Sequence, residues 1–325
     1  MMISVAMATY NGEKYLREQL DSVLNQTITD LELVICDDNS TDSTIDILSE
    51  YAAKDRRIRY YTNPVNLGFK RNFENVIQKC KGEYIALCDQ DDIWYPYHLE
   101  KLLDNIQHYV MCCGNSELVD QNNQTLHRCM SDSSGITVIP SNPHKWIYRI
   151  LLNSSPFQGA SMLLKADFVK RCLPIPNCMS YHDVWFAGCA CMDKYGLKYF
   201  LTPSITRYRQ HYNNVTLGQY RDHKRTIYQQ IKDYWFILQK HSGILTNRYQ
   251  MCKELGIRFP NTENSDYQRI AEFLIHSEQK KLKSRDLKFL WNNMEYVMTS
   301  ITKKGFLRKL YVWSHSKSPI VSANQ

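Results

Sequence analysis

Apolar and polar residues alternate in two different periods along the first hundred residues. Continuous apolar runs, which are typical of buried strands, occupy four segments: Ile3–Ala8, Leu31–Cys36, Ile58–Tyr61 and Tyr84–Cys88. Between these runs, apolar residues recur at helical spacing over residues 13–25, 45–51 and 69–77, and Ser40 or Thr41 is expected to cap the second of these helices. The resulting β-α-β-α-β-α-β order predicts an α/β fold, with a mostly parallel sheet flanked by helices on both faces.

The later part of the chain combines strand and helix patterns. Four further elements are predicted there: a loop or hairpin at 121–142, a strand at 157–164, a helix from 181 to about 191 and a strand at 199–202. After about Leu217, helical spacing continues without strand alternation. We therefore predict a first domain at residues 1–217, with halves at 1–110 and 111–217, and a helical extension at 218–325.

Polar residues follow three of the predicted strands at the point where each strand ends. They form the sequences Thr9-Tyr10-Asn11-Gly12, Asp37-Asp38-Asn39-Ser40 and Asp89-Gln90-Asp91-Asp92. Ligands of parallel sheets bind beyond the carboxyl ends of the strands. Three carboxylates in the last sequence repel one another unless a cation or a proton neutralises them, and Mg²⁺ and Mn²⁺ prefer such oxygen ligands. The sequence therefore predicts a metal–diphosphate site at this edge, with a solvated acidic turn as the alternative.

The composition is that of an ordinary globular protein, with 43% hydrophobic and 22% charged residues among 325. No two of the eleven cysteines form a CxxC pair, and several lie in apolar runs, which indicates free thiols in a reducing cytosol. The first residues lack the basic and long apolar regions of a secretory signal. Because no run reaches 18 apolar residues, no transmembrane helix is expected.

The net charge of +7 is concentrated near the carboxyl end of the chain. Between His276 and Tyr311, nine Lys and Arg residues face only three acidic residues, and aromatic residues are interleaved with them. This pattern is typical of an amphipathic helix that lies on an anionic membrane surface, although a helical cap with a solvated basic face is the alternative. Nucleic-acid binding is not expected, because no recognition module accompanies the charge.

Four segments in this order resemble the family 2 nucleotide-sugar glycosyltransferases, which have the GT-A (Rossmann-like) fold: Ile3–Gly12, Leu24–Thr27, Leu33–Asp42 and Gly82–Pro96. Two more, His182–Trp185 and Tyr208–His211, resemble the bacterial branch that includes many rhamnosyltransferases. The resemblance covers roughly residues 2–217, and implies that residues 1–110 bind the nucleotide and residues 111–217 the acceptor.

The resemblance implies an inverting, metal-dependent hexosyl- or rhamnosyltransferase. Its donor is expected to be a UDP- or dTDP-sugar, and its acceptor a hydroxyl of a lipid-linked intermediate of O-antigen, capsule or cell-wall glycan. Such an enzyme is expected in the cytoplasm, peripherally attached to the inner face of the bacterial cell membrane through the basic helices. A catalytically silent binding or assembly protein of a polysaccharide synthesis complex is the alternative, and another metal-dependent phosphate enzyme is disfavoured because the acidic cluster follows the fourth strand.

The resemblance also implies roles for individual residues. Eight are expected to contact the nucleotide-sugar: Thr9, Tyr10, Asn11, Asp38, Arg71, Asp89, Gln90 and Asp91. Three are expected to hold Mn²⁺ or Mg²⁺: Asp91, Asp92 and His211. An aromatic side chain can stack on the base and a carboxylate can accept a hydrogen bond from a pyrimidine imide, although Asp38 is also suited to a helix terminus. The division of metal and ribose contacts among the three carboxylates of the acidic cluster stays open.

Asp183 is the candidate catalytic base, because it matches that position of the inverting members of the family. The base removes a proton from the acceptor hydroxyl as this oxygen attacks the anomeric carbon; a helix N-cap is the alternative role. Four further residues are candidates for contacts with the acceptor or the donor phosphate: Gly159, His182, Trp185 and Arg209. For His211, a structural role in a buried loop is the alternative to metal binding.

Overall fold

A seven-stranded sheet forms the centre of the protein. The computed structural model describes residues 1–134, 136, 139–152, 155–212, 214, 242–262, 266–278, 284–293 and 296. The strands in this part of the chain are β1 (Ile3–Thr9), β2 (Leu31–Asp37), β3 (Ile58–Thr62), β4 (Tyr84–Cys88), β5 (Ile93–Trp94), β6 (Met111–Gly114), β7 (Ser116–Val119), β8 (Thr125–Cys129), β9 (Met162–Lys165), β10 (Leu197–Phe200) and β11 (Thr206–Arg209).

The central sheet has the strand order β10-β6-β9-β4-β1-β2-β3. Strand β9 runs antiparallel to both β4 and β6, and the other neighbours are parallel. The predicted mostly parallel sheet is therefore confirmed. The polar sequences after β1, β2 and β4 lie at one edge of this sheet, because these three strands are adjacent and parallel.

A second, four-stranded sheet has the order β5-β11-β7-β8. Strands β7 and β8 form an antiparallel hairpin, which begins before the predicted excursion at 121–142 and overlaps its first part. Strand β11 pairs with β5, which directly follows the acidic cluster. This pairing brings the end of β11 to the carboxyl edge of β4, although more than a hundred residues separate the two segments in sequence.

Helices cover both faces of the central sheet. The α-helices in the described part of the chain are α1 (Leu16–Leu24), α2 (Thr44–Lys54), α3 (Phe69–Lys79), α4 (His98–Ile106), α5 (Met130–Ser134), α6 (Trp146–Leu152), α7 (Ala166–Arg171), α8 (His182–Met192), α9 (Ser242–Arg258), α10 (Asp266–Glu278) and α11 (Ser284–Asn292). Leu33 and Ile35 of β2 face a core with α1, α2 and α4, whereas Val34 and Cys36 face a core with α3, α6 and α8. This two-residue alternation is the one expected of a strand buried on both faces.

Two local predictions differ from the structure. Helix α2 begins at Thr44 and the expected cap by Ser40 or Thr41 is wrong, because the Asp42 carboxylate accepts the hydrogen bond from the Thr44 N–H (3.0 Å). The predicted strand at 157–164 begins only at Met162, since Gly159–Ser161 form a turn of 3₁₀ helix. This turn brings the Gly159 backbone to the site described below.

The described helices beyond residue 241 pack against the rest of the protein. Buried side chains of α9, α10 and α11, among them Leu255, Phe273 and Phe289, belong to the same core as α6 and α8. The predicted domain boundary at 217 and the basic cluster from Lys303 to Lys309 lie outside the described residues, so both stay predictions. None of the helices described here combines the length and apolar character that crossing a bilayer requires.

Candidate active site

The acidic loop (residues 89–92) follows β4 at the carboxyl edge of the sheet. Here Asp91 Oδ2 lies 2.9 Å from His211 Nε2. His211 lies two residues beyond the end of β11, and its ring stacks on that of Tyr15, with centroids 4.9 Å apart. The structure therefore places two of the three predicted metal ligands together. They are brought together by the second sheet, in which β11 pairs with β5.

The third predicted metal ligand, Asp92, has a different environment. Its side chain is fully buried, and Oδ1 accepts a hydrogen bond from the Arg209 N–H (2.9 Å). Oδ2 is also buried and has no hydrogen-bond partner among the described residues. Burial and the neighbouring charges of Asp91 and Asp89 raise the pKa of Asp92 well above its ordinary range. The Asp92 side chain thus points into the protein, where it links the acidic loop to the end of β11.

Asp89 begins the acidic loop, directly after the end of β4. Burial, followed by the like charges of Asp91 and Asp183, raises the pKa of Asp89. Because the effect of a charge falls with distance, Asp183, at the start of α8, lies near the acidic loop.

The Asp183 carboxylate is held at the amino end of α8 by backbone groups. The Val184 N–H donates to Oδ1 (2.6 Å), and the Gly159 N–H also donates to the carboxylate. These hydrogen bonds favour the ionised form, but burial outweighs them and raises the pKa of Asp183 to about 7. A carboxylate with a pKa near neutrality can accept and release a proton at neutral pH.

The donor atoms of Asp91 and His211 suit Mn²⁺, which accepts carboxylate and imidazole ligands. Among the described residues, no group of three or more His, Cys, Asp or Glu side chains is arranged as a metal site. A metal at this pair needs further oxygen ligands, and substrate phosphates supply them in many magnesium sites. The pair therefore fits a metal that binds together with a diphosphate.

Gln90 connects the acidic loop to the loop after β1. Its side-chain amide accepts a hydrogen bond from the Tyr10 N–H (2.8 Å) and donates one to the Tyr10 carbonyl (2.9 Å). A Cβ at position 12 would overlap the Gln90 amide in this arrangement, so a larger residue there would displace that side chain. The Tyr10 ring stays 47% exposed and is free to stack on a planar ligand.

Two residues that were predicted to contact the nucleotide-sugar, Thr9 and Asn11, make hydrogen bonds within the loops after β1 and β2. The buried Thr9 hydroxyl donates to Asp37 Oδ1 (2.8 Å). Asn11 has a φ of 47°, and its Oδ1 accepts from the Thr41 N–H (2.8 Å). Asp37 also accepts from the N–H and the hydroxyl of Ser40. The side chains of Thr9 and Asn11 thus fix the edge on which a donor would lie.

Asp38 organises the loop before α3. Its Oδ1 accepts hydrogen bonds from Asn63 Nδ2 and the Leu67 N–H, and its Oδ2 accepts from the Gly68 N–H, each at 2.8 Å. Asn63 in turn bonds Asn72 of α3, a pairing that the sequence analysis missed. Since a carboxylate can accept about four hydrogen bonds, Asp38 retains capacity for one more donor.

Arg71 and Lys70, in the first turn of α3, hold the segment before α8. Arg71 pairs with Glu74 and donates to the Ile175 carbonyl (3.1 Å) and to the Asn177 side chain. Lys70 Nζ donates to the Met179 carbonyl (2.8 Å). A cleft of about 470 Å³ opens between these two segments and extends to Asn247 of α9. It lies between the Asp38-bound loop and the start of α8.

His182 and Gly159 lie beside Asp183. The His182 ring is 6% exposed and stacks on Phe73, with ring centroids 4.0 Å apart. Neither ring nitrogen has a partner among the described residues, and burial lowers the pKa of His182 to about 3. A Cβ at position 159 would lie 2.7 Å from His182 Nε2. His182 is therefore a neutral imidazole packed against the turn that holds the Asp183 carboxylate.

Two residues predicted to contact a substrate are instead engaged by the protein. Trp185 is fully buried, and its Nε1 donates to the Cys172 carbonyl (2.8 Å), so its side chain belongs to the core rather than to the cleft. Arg209 is 1% exposed, and its guanidinium pairs with Glu18 Oε2 (2.6 Å) and donates to the backbone carbonyls of Asp91 and Gln121, so its donors are engaged within the protein.

Comparisons with known proteins agree with this architecture. The family model "Glycosyl transferase family 2" matches residues 4–166. A Haemophilus influenzae protein, named only as an uncharacterized glycosyltransferase, is 30% identical over 190 residues, or 58% of this chain and 71% of that protein. Chondroitin synthase from Escherichia coli is 40% identical over 106 residues, or 33% of this chain and 15% of the synthase.

Among solved structures, TarS 1–349 from S. aureus, crystallised with UDP, matches with a TM-score of 0.54 and 17% identity over 91% of this chain and 80% of its own. The two proteins thus share the same overall architecture, a large sheet flanked by helices. The family model spans half of the 325 residues and includes all three polar sequences, whereas Asp183 and His211 lie beyond it. This chain therefore belongs to glycosyl transferase family 2 and has the GT-A fold.

Proposed function

We propose that this protein is an inverting, metal-dependent glycosyltransferase. It moves a sugar from a nucleoside-diphosphate donor to a hydroxyl of a lipid-linked polysaccharide intermediate. The proposal rests on the pair formed by Asp91 and His211 (2.9 Å) at the carboxyl edge of the sheet and on Asp183 at the amino end of α8, whose charge contributes to the raised pKa of Asp89. A base facing a diphosphate site is the arrangement that direct displacement at an anomeric carbon requires, because attack and departure occur on opposite faces.

The donor nucleotide binds along the loops after β1 and β2. The exposed Tyr10 ring stacks on the base, and Asp38 accepts the imide N–H of a pyrimidine through its remaining hydrogen-bonding capacity. These contacts favour a UDP- or dTDP-sugar. The hydrogen bonds of Thr9, Asn11 and Gln90 hold these loops in place. Arg71, at the amino end of α3, is near enough to the cleft to contact the diphosphate after exchanging a protein partner.

Asp91 and His211 would hold the metal, Mn²⁺ or Mg²⁺, for which a diphosphate donor would supply further oxygen ligands. The metal, when bound, neutralises charge that develops on the departing nucleoside diphosphate. Asp89 contacts the donor from the same loop. Asp92 is assigned a supporting role, because its buried carboxylate ties the loop to the backbone of Arg209.

Asp183 is the catalytic base in this proposal. The acceptor oxygen forms the new bond to the anomeric carbon, the bond from that carbon to the diphosphate oxygen breaks, and Asp183 takes the proton of the acceptor hydroxyl. The Gly159 and Val184 N–H groups hold the carboxylate in place. With a pKa of about 7, the carboxylate is ionised in a large fraction of molecules at neutral pH and is basic enough to assist the attack.

The acceptor enters through the cleft between α3 and the segment before α8, which reaches Ser180 just ahead of the base. Leu67 and Phe69 are exposed at this cleft and offer apolar contacts. We assign the lipid-linked acceptor to a bacterial surface glycan, and the enzyme to the cytoplasmic face of the membrane, to which the basic carboxyl-terminal residues attach. A hexose or rhamnose is the transferred sugar.

The test is calorimetric titration of UDP, dTDP and GDP, each in MnCl₂ and in EDTA. The proposal predicts that one pyrimidine nucleotide binds, and that EDTA weakens its binding at least roughly tenfold, as expected when a metal bridges ligand and protein. Asp104→Asn on α4 serves as the control for removal of an acidic residue outside the cleft. Binding of none of the three nucleotides would contradict the donor site. Metal-dependent binding without transfer to membrane-derived acceptors would favour the silent assembly protein.

A further inference from the structure

Two residues at the start of α1 contact the strand end that carries His211. Glu18 Oε2 lies 2.6 Å from Arg209 Nη2, although 191 residues separate them in the chain. The Arg209 guanidinium lies over the Tyr15 ring, 4.6 Å from its centroid, and the same ring stacks on His211. Tyr15, Glu18 and Arg209 thus form one connected cluster, which we name the α1 brace.

The α1 brace also reaches the acidic loop. The Arg209 N–H donates to Asp92 Oδ1 and Arg209 Nε donates to the Asp91 carbonyl, each at 2.9 Å. Arg209 Nη1 donates to the Gln121 carbonyl (3.0 Å). A buried cation is stable only when its donors are paired, and Arg209 is 1% exposed. One guanidinium therefore fixes three segments, namely α1, the acidic loop and the β7–β8 hairpin.

The brace contacts both halves of the candidate metal pair but lies behind it. Asp91 is held through its backbone carbonyl, and His211 through ring stacking, so the contacts of the brace do not involve the carboxylate oxygen and the Nε2 atom that form the pair. Residues that orient metal ligands in this way affect the metal affinity, because ligands that are already in place need not be ordered when the metal binds. The brace is thus suited to keep Asp91 and His211 at the spacing that a shared metal needs.

We propose that the α1 brace is a positioning device that sets the metal affinity of the donor site. Glu18 is the residue that governs it, because its carboxylate neutralises the buried guanidinium and fixes its orientation. This inference rests on the proposed metal–donor site. It assigns to Arg209 a role through Asp91 and His211, in place of a direct contact with donor phosphate.

Glu18→Gln is the principal variant, since the Glu18 side chain is 53% exposed and the substitution removes charge without removing bulk. Tyr15→Leu removes the stacked ring, whereas Tyr15→Phe keeps it. Glu50→Gln is the matched control, because Glu50 also pairs with an arginine of α1, Arg17, at 2.6 Å. Each variant is made in the full chain and compared with the unaltered protein.

Mn²⁺ binding is measured by the electron paramagnetic resonance signal of free Mn²⁺, with and without UDP, and with GDP as a second probe. The Mn²⁺ concentration for half-saturation is expected to rise roughly tenfold in Glu18→Gln and Tyr15→Leu, in line with other residues that orient metal ligands. It is expected to stay unchanged in Tyr15→Phe and Glu50→Gln. Ligand-free hydrogen exchange of residues 206–212 should become faster in the same two variants.

Two results would overturn the inference while leaving the donor site intact. One is an unchanged Mn²⁺ requirement in Glu18→Gln and Tyr15→Leu, even with faster exchange or a lower melting temperature, because the brace would then serve stability alone. The other is an equal effect of Glu50→Gln. If the unaltered protein binds no Mn²⁺ with either nucleotide, the proposed function itself fails, and the brace loses its metal role with it.

Discussion

The Nε2 atom of His211 lies 2.9 Å from Oδ2 of Asp91, although 120 residues separate the two in the chain. The acidic loop follows a strand of the central sheet, and His211 follows the last strand of the second sheet. The contact exists because β11 pairs with β5, directly after the acidic loop. A ligand bound by this pair would therefore contact residues that follow strands of both sheets.

Removal of either member of this pair should abolish metal-dependent nucleotide binding. Asp91→Ala and His211→Ala each leave one protein ligand, so the apparent affinity for the nucleotide in MnCl₂ should fall to the value measured in EDTA. Calorimetry of the nucleotide that binds the unaltered protein checks this. Equal nucleotide affinity of His211→Ala and the unaltered protein at low MnCl₂ would remove His211 from the metal site.

Transfer should depend on pH through Asp183. Its pKa is raised to about 7, and a base must be deprotonated to act, so kcat should fall as the pH is lowered through 7 and level off above it. The profile is measured at saturating donor and metal concentrations. A kcat that is constant between pH 5.5 and 8 would be inconsistent with Asp183 as the base.

Asp89 should make a contribution to the stability of the metal-free protein that falls as the pH rises above about 4. The pKa of Asp89 is raised in the folded state, so between the ordinary carboxyl pKa and the folded one the unfolded chain binds fewer protons, and the free energy of unfolding decreases with pH. Asp89→Asn should reduce this slope. Melting temperatures in EDTA at pH 5 and pH 7.5 give the comparison, and an identical slope in both proteins would contradict the assignment.

Gly159→Ala should impair both stability and transfer. The added Cβ would lie 2.7 Å from His182 Nε2, and overpacking of this kind costs about 1–3 kcal/mol. It also displaces the N–H that holds Asp183. Because His182→Ala opens space at the same point, the double variant should recover part of the lost stability in a double-mutant cycle. Additive losses would show that the two residues do not interact.

The strands and the polar sequences at their ends could be predicted from sequence, because both depend on local patterns. The run from Tyr84 to Cys88 and the loop after it form one continuous segment, and parallel pairing then places this loop beside those after β1 and β2. The pairing of Glu18 with Arg209 could not be predicted, because no local pattern links residues so far apart.

Side-chain direction on α8 also escaped prediction. This helix is apolar around most of its circumference, so its periodicity does not distinguish a residue facing the core from one facing the cleft. Trp185 was expected near a substrate, yet it donates to the Cys172 carbonyl inside the core. Asp183, two residues earlier, begins the helix at the cleft, where burial raises its pKa.

The most direct test of the account is sugar transfer by Asp183→Asn. Incorporation of radiolabelled sugar into membrane lipids is measured from UDP- and dTDP-sugars, alongside nucleotide binding by the same protein. We predict unchanged metal-dependent nucleotide affinity, and a transfer rate reduced by at least roughly a hundredfold, the contribution expected of a positioned base. A transfer rate equal to that of the unaltered protein would contradict the assignment of Asp183, and with it the proposed mechanism.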